Sequence, residues 1–247
     1  MPKKFLVICI VMLASICGSS YAQEVETGLP DRNVYLGFQA RDNGIGLSVD
    51  RFAKAIKPNM HLIYGASFTT IHHPKEIRLS NANIQNTTPY VFGKQYFTML
   101  STAGLGLTKI VLARNSNASV AFGCTGFLGF DVAIQRPVYL EIVKISSTDQ
   151  MAEYHSERYD PRFHISRENI AGYSRKKGWN ELRYLGGMHA KISSELYWGG
   201  YGNLIKRAQL GVAIDYFPNG LPIMAIVDNP NLYASLFVSL SWGTSKN

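Results

Sequence analysis

The chain is short of cysteine. Of its three, Cys9 and Cys17 lie in the first seventeen residues, and Cys124 stands alone in the rest. A single thiol makes no internal disulfide framework, so some other device must hold the fold together. Long hydrophobic runs are also missing. Beyond Phe5–Ala14, no apolar stretch reaches the ~18 residues of a membrane helix. No linker, internal repeat or low-complexity segment divides the chain. A concentrated basic stripe is absent too. The formal charge is +8, but the basic residues are scattered among acidic ones. That argues against nucleic acid as a partner.

What the N-terminus does contain is a secretory pattern. Lys3 and Lys4 precede the apolar run, and Ser20-Tyr21-Ala22 offers a small-x-small cleavage site. Residues 1–22 therefore read as a signal peptide, too short to span a membrane and stay. Cys17 raises lipid attachment as an alternative, but Ile16 stands where such a signal needs a small residue. Removing Lys3 and Lys4 lowers the charge to +6. Residues 23–32 are polar and contain Gly and Pro, and read as a flexible lead. The remaining 33–247 are long enough for one barrel or sandwich.

Alternation dominates that remainder. From Leu232 to Trp242 the even positions are Leu, Ala, Leu, Val, Leu and Trp, and the odd ones are Tyr, Ser, Phe, Ser and Ser. Successive strand side chains point to opposite faces, so this strand has one oily and one mostly hydroxylic face. The pattern recurs at Val34–Arg41, Ile45–Asp50, Met60–Thr70, Ala118–Ala133, Leu182–Trp198 and Leu204–Tyr216. It is weakest at Lys94–Gly106. Asp42-Asn43-Gly44 reads as a hairpin turn, because Asn and Gly accept positive φ. Ala53–Pro58, Leu107–Asn117 and Gly199–Asn203 read as connections. The longer loops are Ile71–Phe92, Phe217–Asn231 and, longest, Ile134–Asn180.

Eight strands of this length, with short connections at one end and long loops at the other, predict an eight-stranded antiparallel up-and-down transmembrane β-barrel. Closure satisfies every backbone donor without water, as lipid demands. On this reading both termini are periplasmic, the barrel sits in the outer membrane, and lipid contacts its wall. A soluble lipocalin-like barrel is the competing fold, with its apolar face inward. The second face argues against it, being Gly-, Ala- and Ser-rich with a few charges. Arg41, Asp50, Asp131, Lys191, Glu195, Arg207 and Asp215 form the expected lumen charge network, with Arg41 and Arg207 set against Asp50 and Asp215. Eight strands leave room only for side chains, so the expectation is a filled lumen. Tyr35, Tyr64, Tyr96, Trp198, Tyr216, Tyr233 and Trp242, near strand ends, suit interfacial girdles. Cys124 falls on the oily face beside Phe122 and Leu128, as a small hydrophobe.

Certain loop motifs carry a resemblance. His73-Pro74-Lys75-Glu76, Arg136-Pro137-Val138-Tyr139-Leu140, Arg158-Tyr159-Asp160-Pro161, and Phe217-Pro218 with Ile223-Met224-Ala225 resemble small Bacteroidota-type outer-membrane β-barrel proteins. The resemblance runs over nearly all of the chain after residue 22. It implies an outer-membrane location and an eight-stranded barrel, and carries over no catalytic residue. Membership of an outer-membrane assembly or secretion complex is an expectation attached to it.

Catalysis at the rim is the alternative class, as a lipid-modifying hydrolase or acyltransferase built from a Ser, a His and an acid. His72, His73, His155, His164, Ser67 and Ser101 are the available residues, in no recognisable frame. A metal shared by His72 or His73 with His155 or His164 is weakly encoded, since adjacent strand histidines face opposite ways. No cofactor or metal is expected. Interaction is the better-supported role. A connection as long as Ile134–Asn180 is usually functional, and this one is rich in aromatics and Arg, the types that dominate interfaces. Tyr139, Arg158, Tyr159, Phe163 and Trp179, with Ile223 and Met224 of the apolar loop Leu221–Val227, form the expected outer-loop interaction set. Its partners would be other outer-membrane or surface proteins. The alternative is that these side chains fold back to cap the barrel's own mouth.

Overall fold

The computed structural model describes residues 33–57, 59–81, 84, 87–112, 120–145, 152–164, 169–174, 176–199 and 204–244. The expected signal peptide and lead lie outside these residues, as does most of the Gly199–Asn203 turn. Eight long strands close into one barrel. They are β1 (Val34–Arg41), β2 (Gly44–Lys57), β3 (Met60–Ile71), β6 (Tyr96–Leu112), β7 (Ala121–Pro137), β11 (Arg183–Gly199), β12 (Leu204–Tyr216) and β13 (Leu232–Thr244). Each pairs antiparallel with the next in this order, and β13 closes on β1 from Val34↔Thr244 to Arg41↔Phe237. The ladder therefore has no free edge.

Among the described residues, five short strands lie outside the barrel. β4 (Arg78–Leu79) pairs with β5 (Tyr90–Val91), and β8 (Tyr139–Ile145) pairs with both β9 (Ala152–Arg158) and β10 (Ile170–Tyr173). All five belong to the end opposite the termini, called here the loop end. β7 and β11 outrun β12 there. β12 ends with Tyr216 opposite Met188, whereas β11 begins with Arg183 opposite Gln135.

The strands run further than alternation predicts. β2 continues through Lys57, past the expected turn at Ala53, with register shifts after Phe52 and Ala55. β6 runs from Tyr96 to Leu112, so the turn expected at Leu107 starts later. β7 runs on through Ile134–Pro137, taken from sequence as loop. On β2 and β6 the physical reason is that inward side chains at the barrel ends, such as Phe52 and Ile110, are apolar, which breaks the two-face pattern; on β7 the charged Arg136 takes the outward phase while Gln135 faces in. Leu100 and Ile110 of β6 are buried inside at opposite ends.

Orientation follows the pleat. Along β1 the exposed residues are Val34, Leu36 and Phe38, and the buried ones are Tyr35, Gln39 and Arg41. The same phase exposes Leu128 and Phe130 at 71% and 72% while burying Asp131. A water-soluble barrel turns its apolar side chains inward; this one turns them out and its charges in, which is the construction of a transmembrane barrel. Tyr64, Tyr216 and Trp242 are exposed on the wall, whereas Tyr35 and Tyr233 are buried inside and belong to no girdle. Cys124 keeps the outward phase but is only 6% exposed.

The wall gives a direct test. Leu128→Arg should destabilise the barrel in lipid vesicles by about 2–4 kcal/mol if Leu128 sits near the bilayer midplane. Urea unfolding followed by tryptophan emission would measure it. An unchanged midpoint would mean that Leu128 faces water.

Candidate functional site

The lumen is built in three layers. At the terminal end, Tyr35, Phe52, Ile63, Ile110, Ala121, Tyr197 and Ile205 form an apolar plug. Tyr35 fits because Gly243 opposes it, where a Cβ would lie 2.6 Å from its ring. At the loop end, Ile71, Leu100, Ala133, Phe217 and Tyr233 form a second plug with Leu221, Ile223 and Met224. Gly187 makes the matching space for Phe217, at 2.5 Å.

Between the plugs lies the charged layer. Arg207, 1% exposed, donates to Asp50 and stacks 4.7 Å from the Tyr35 ring. Glu195 lies 4.0 Å from the same guanidinium and accepts from Gln209 at 2.5 Å and from the Tyr197 hydroxyl. Arg41 donates to Asp215 at 2.9 Å. Asp215 also pairs with His189 at 2.6 Å, and Asp131 accepts from Thr102 at 2.5 Å. Lys191 sits over the Phe127 ring at 4.7 Å. All seven charges expected in the lumen are buried there. His189 is the member that residue-type reasoning left out, though alternation had placed it on the same face as Lys191. Asp131, His189 and Asp215 come close enough to hold a metal ion. Three of the four carboxylate oxygens are engaged by Thr102, Arg41 and His189, and Asp131 Oδ2, which accepts no hydrogen bond, lies 3.8 Å from His189.

The loop end is ordered by its own bonds. Asn229 Oδ1 accepts from the Ile223 and Met224 amides, each at 3.0 Å, and its Nδ2 donates to the Met224 carbonyl at 2.8 Å. The Gln95 amide donates to the Ile223 carbonyl at 2.9 Å, and the Ala225 amide to the Gly93 carbonyl at 2.8 Å. Ile223 and Met224 are consequently buried, at 0% and 5%. They are corrected from interaction residues to plug residues, because the barrel mouth is the apolar surface nearest to them. Tyr159 is likewise 7% exposed, in a cluster with Tyr90, Val138, Leu140, Ile142 and Ile170 that forms the core of the β8–β10 sheet.

The rest of that set stays at the surface. Phe163 is 82% exposed and Trp179 52%. Tyr139 donates to Glu181 at 2.5 Å, and Arg158 reaches both Glu181, at 3.3 Å, and the Tyr96 hydroxyl, at 3.1 Å. Below Trp179 opens a cleft of about 500 Å³, lined by His72, Glu76, Arg78, Lys94, Phe97, Arg136 and Tyr173 among others. Glu76 binds Lys94 at 2.7 Å and His72 at 3.4 Å, and accepts the His73 amide at 3.0 Å. Burial works to raise the Glu76 carboxyl, but His72, Lys94 and the His73 amide outweigh it and bring it down to about 2.

The residues weighed for catalysis are dispersed. Ser101 is exposed on the outer wall and Ser67 is on the inner phase of β3. His73 lies six residues beyond Ser67, roughly 20 Å along an extended chain. His73 Nδ1 accepts from the Lys75 amide, His155 pairs with Glu153, and His164 pairs with Glu157 and stacks on Tyr159. These residues do not assemble a nucleophile with its base, nor a shared histidine metal site.

No protein-family model matches the chain, and no curated protein does. Among solved structures, Neisserial surface protein A matches with a TM-score of 0.35 at 7% identity, over 87% of this chain and 94% of that one. Its likeness is too distant to carry residue roles.

Two expectations follow. Arg207→Met should destabilise the barrel by about 3–5 kcal/mol, because it strands Asp50 without its partner. Arg207→Met with Asp50→Leu should cost less than the sum of the singles, read from urea midpoints. Glu76 titrates lower in the folded state than its ordinary 4.5, so the unfolded chain takes up its proton first. Its contribution is full above about pH 4.5 and is lost as pH falls toward 2. Limited proteolysis of the loop end should rise across that window, and Glu76→Gln should flatten the rise.

Proposed function

We propose that this chain is a non-enzymatic outer-membrane β-barrel that acts as a structural or docking subunit, in an outer-membrane protein assembly or secretion complex. The termini face the periplasm, and the loop end faces outward. The sequence resemblance to small Bacteroidota-type outer-membrane barrels belongs to the same reading. One observation carries it: the lumen is plugged at both ends, while the loop end builds an extra three-stranded sheet with its own buried core. A barrel needs no such sheet to close, and a plugged lumen gives a solute no path. What remains available is the outer surface, where Phe163 stands almost fully exposed on the turn after β9.

Planar bilayers should show no steady conductance from the purified barrel. Asn229→Ala should not create any, since the Tyr35–Phe52–Tyr197 plug remains. Docking is tested separately. Phe163→Ser leaves every buried contact in place and should reduce co-purifying envelope proteins at least about tenfold in mild detergent, the loss expected for an interface aromatic. Unchanged co-purification, or a wild-type barrel that purifies alone, would remove the docking role.

A further inference from the structure

The cleft beneath Trp179 lies on the outside of the barrel wall. Phe97 and Arg136 are opposite one another in the β6–β7 ladder and both follow the outward phase. Directly below them on that phase come Met99 and Ile134, then Ser101 and Val132, then the exposed Ala103 and Phe130. Arg136 therefore stands roughly 7 Å along the wall above Ile134, where the apolar surface gives way to polar groups. On a barrel embedded in lipid, that height is where headgroups lie.

The lining fits an anion attached to something flat. Arg78, Lys94 and Arg136 supply three cations against the single carboxylate of Glu76. Lys94 is committed to Glu76 and leans on Phe97 at 4.8 Å. Arg136 stacks 4.9 Å from the Phe97 ring and 4.7 Å from the Trp179 ring. Stacking holds a guanidinium by its faces and directs its donors along its edge, the geometry that suits a phosphate. Arg78 is exposed at the start of the β4–β5 hairpin on the other side of the cleft. Trp179 adds a half-exposed ring above the opening.

We propose that this cleft binds the phosphorylated saccharide headgroup of an outer-leaflet glycolipid. Arg136 and Arg78 engage the phosphate, and Trp179 covers a sugar face. The β8–β10 sheet then has a second role, since it anchors Tyr173 against Phe97 at 5.0 Å and so shapes the site. The inference rests on the membrane reading, because only a lipid-embedded wall brings headgroups to this height.

The full barrel in nonionic detergent would be titrated with a diphosphorylated diglucosamine lipid and with the same lipid after dephosphorylation, following tryptophan emission. The phosphorylated lipid should bind at least about tenfold more tightly. Arg136→Gln should remove most of that difference, Arg136→Lys should restore part of it, and Arg78→Gln should weaken it without touching a buried residue. Heat-modifiable gel mobility would establish that each variant is folded. Equal affinity for the two lipids, or no effect of Arg136→Gln and Arg78→Gln together, would overturn the site. Displacement by inorganic phosphate at concentrations equal to the glycolipid would assign it to free phosphate and overturn the headgroup. A barrel that stays folded and soluble without detergent would instead refute the membrane reading, and the site with it.

Discussion

Arg207 is a guanidinium with 1% exposure inside an eight-stranded barrel, and the lumen is arranged around neutralising it. An isolated charge in such a place costs several kcal/mol, so acids must stand within reach on other strands. Asp50 comes from β2 and Glu195 from β11, on opposite flanks of β12 and β13 in the ladder order. Satisfying one cation thus ties β12 to β2, with which it shares no backbone bond, as well as to its ladder neighbour β11. The Arg41–Asp215 pair does the same between β1 and β12, and His189 meets Asp215 directly across the β11–β12 ladder. Each pair also fixes register, since a slip of one residue would turn these charges out into the apolar wall.

The plugs make the charged layer tenable. With Tyr35, Phe52 and Tyr197 below and Phe217, Leu221 and Ile223 above, bulk water is kept from both ends. Exclusion of water strengthens the ion pairs and also makes their loss expensive. The two plugs are built differently. The lower one comes entirely from strand residues. The upper one borrows Leu221–Met224 from a loop, which Asn229 folds into shape by bonding four backbone groups. A plug carried on a loop can open without breaking the barrel ladder, so the loop end should be the less stable end.

Strand existence and facing were legible because a barrel in lipid repeats one rule at every position: apolar out, small or polar in. That rule needs no knowledge of neighbours. It named the lumen charges residue by residue, and failed where the lumen itself becomes apolar. Phe52 and Ile110 lie beyond the ends of the expected strands, and Leu100 lies inside the one whose alternation is weakest, although all three belong to the plugs. Tyr35 and Tyr233 failed in the same way, as aromatics near strand ends that point in rather than out. The outer loops were harder, because their pairing is non-local. Nothing in the spacing of Ile223 and Met224 shows that residues 93–95 will bind them, and β8 with β10 form a pair across a long intervening stretch. What was visible there was composition: aromatic and Arg-rich, unlike a disordered connection.

That composition divides by burial into two tasks. Tyr159, Tyr90 and Ile170 are spent on the sheet's own core, as a small extramembrane unit of three short strands requires. Phe163, Trp179, Arg136 and Arg78 are not needed for it. A protein selected only to stay folded has little reason to hold a guanidinium against two rings at the edge of its membrane wall, or to leave a phenylalanine 82% exposed on a polar turn. Stability arguments account for the buried half of the loop end and leave the exposed half unexplained. On the proposed reading recognition accounts for that half, with the side of the wall toward lipid and the turn after β9 outward, so that one rim would serve two kinds of partner.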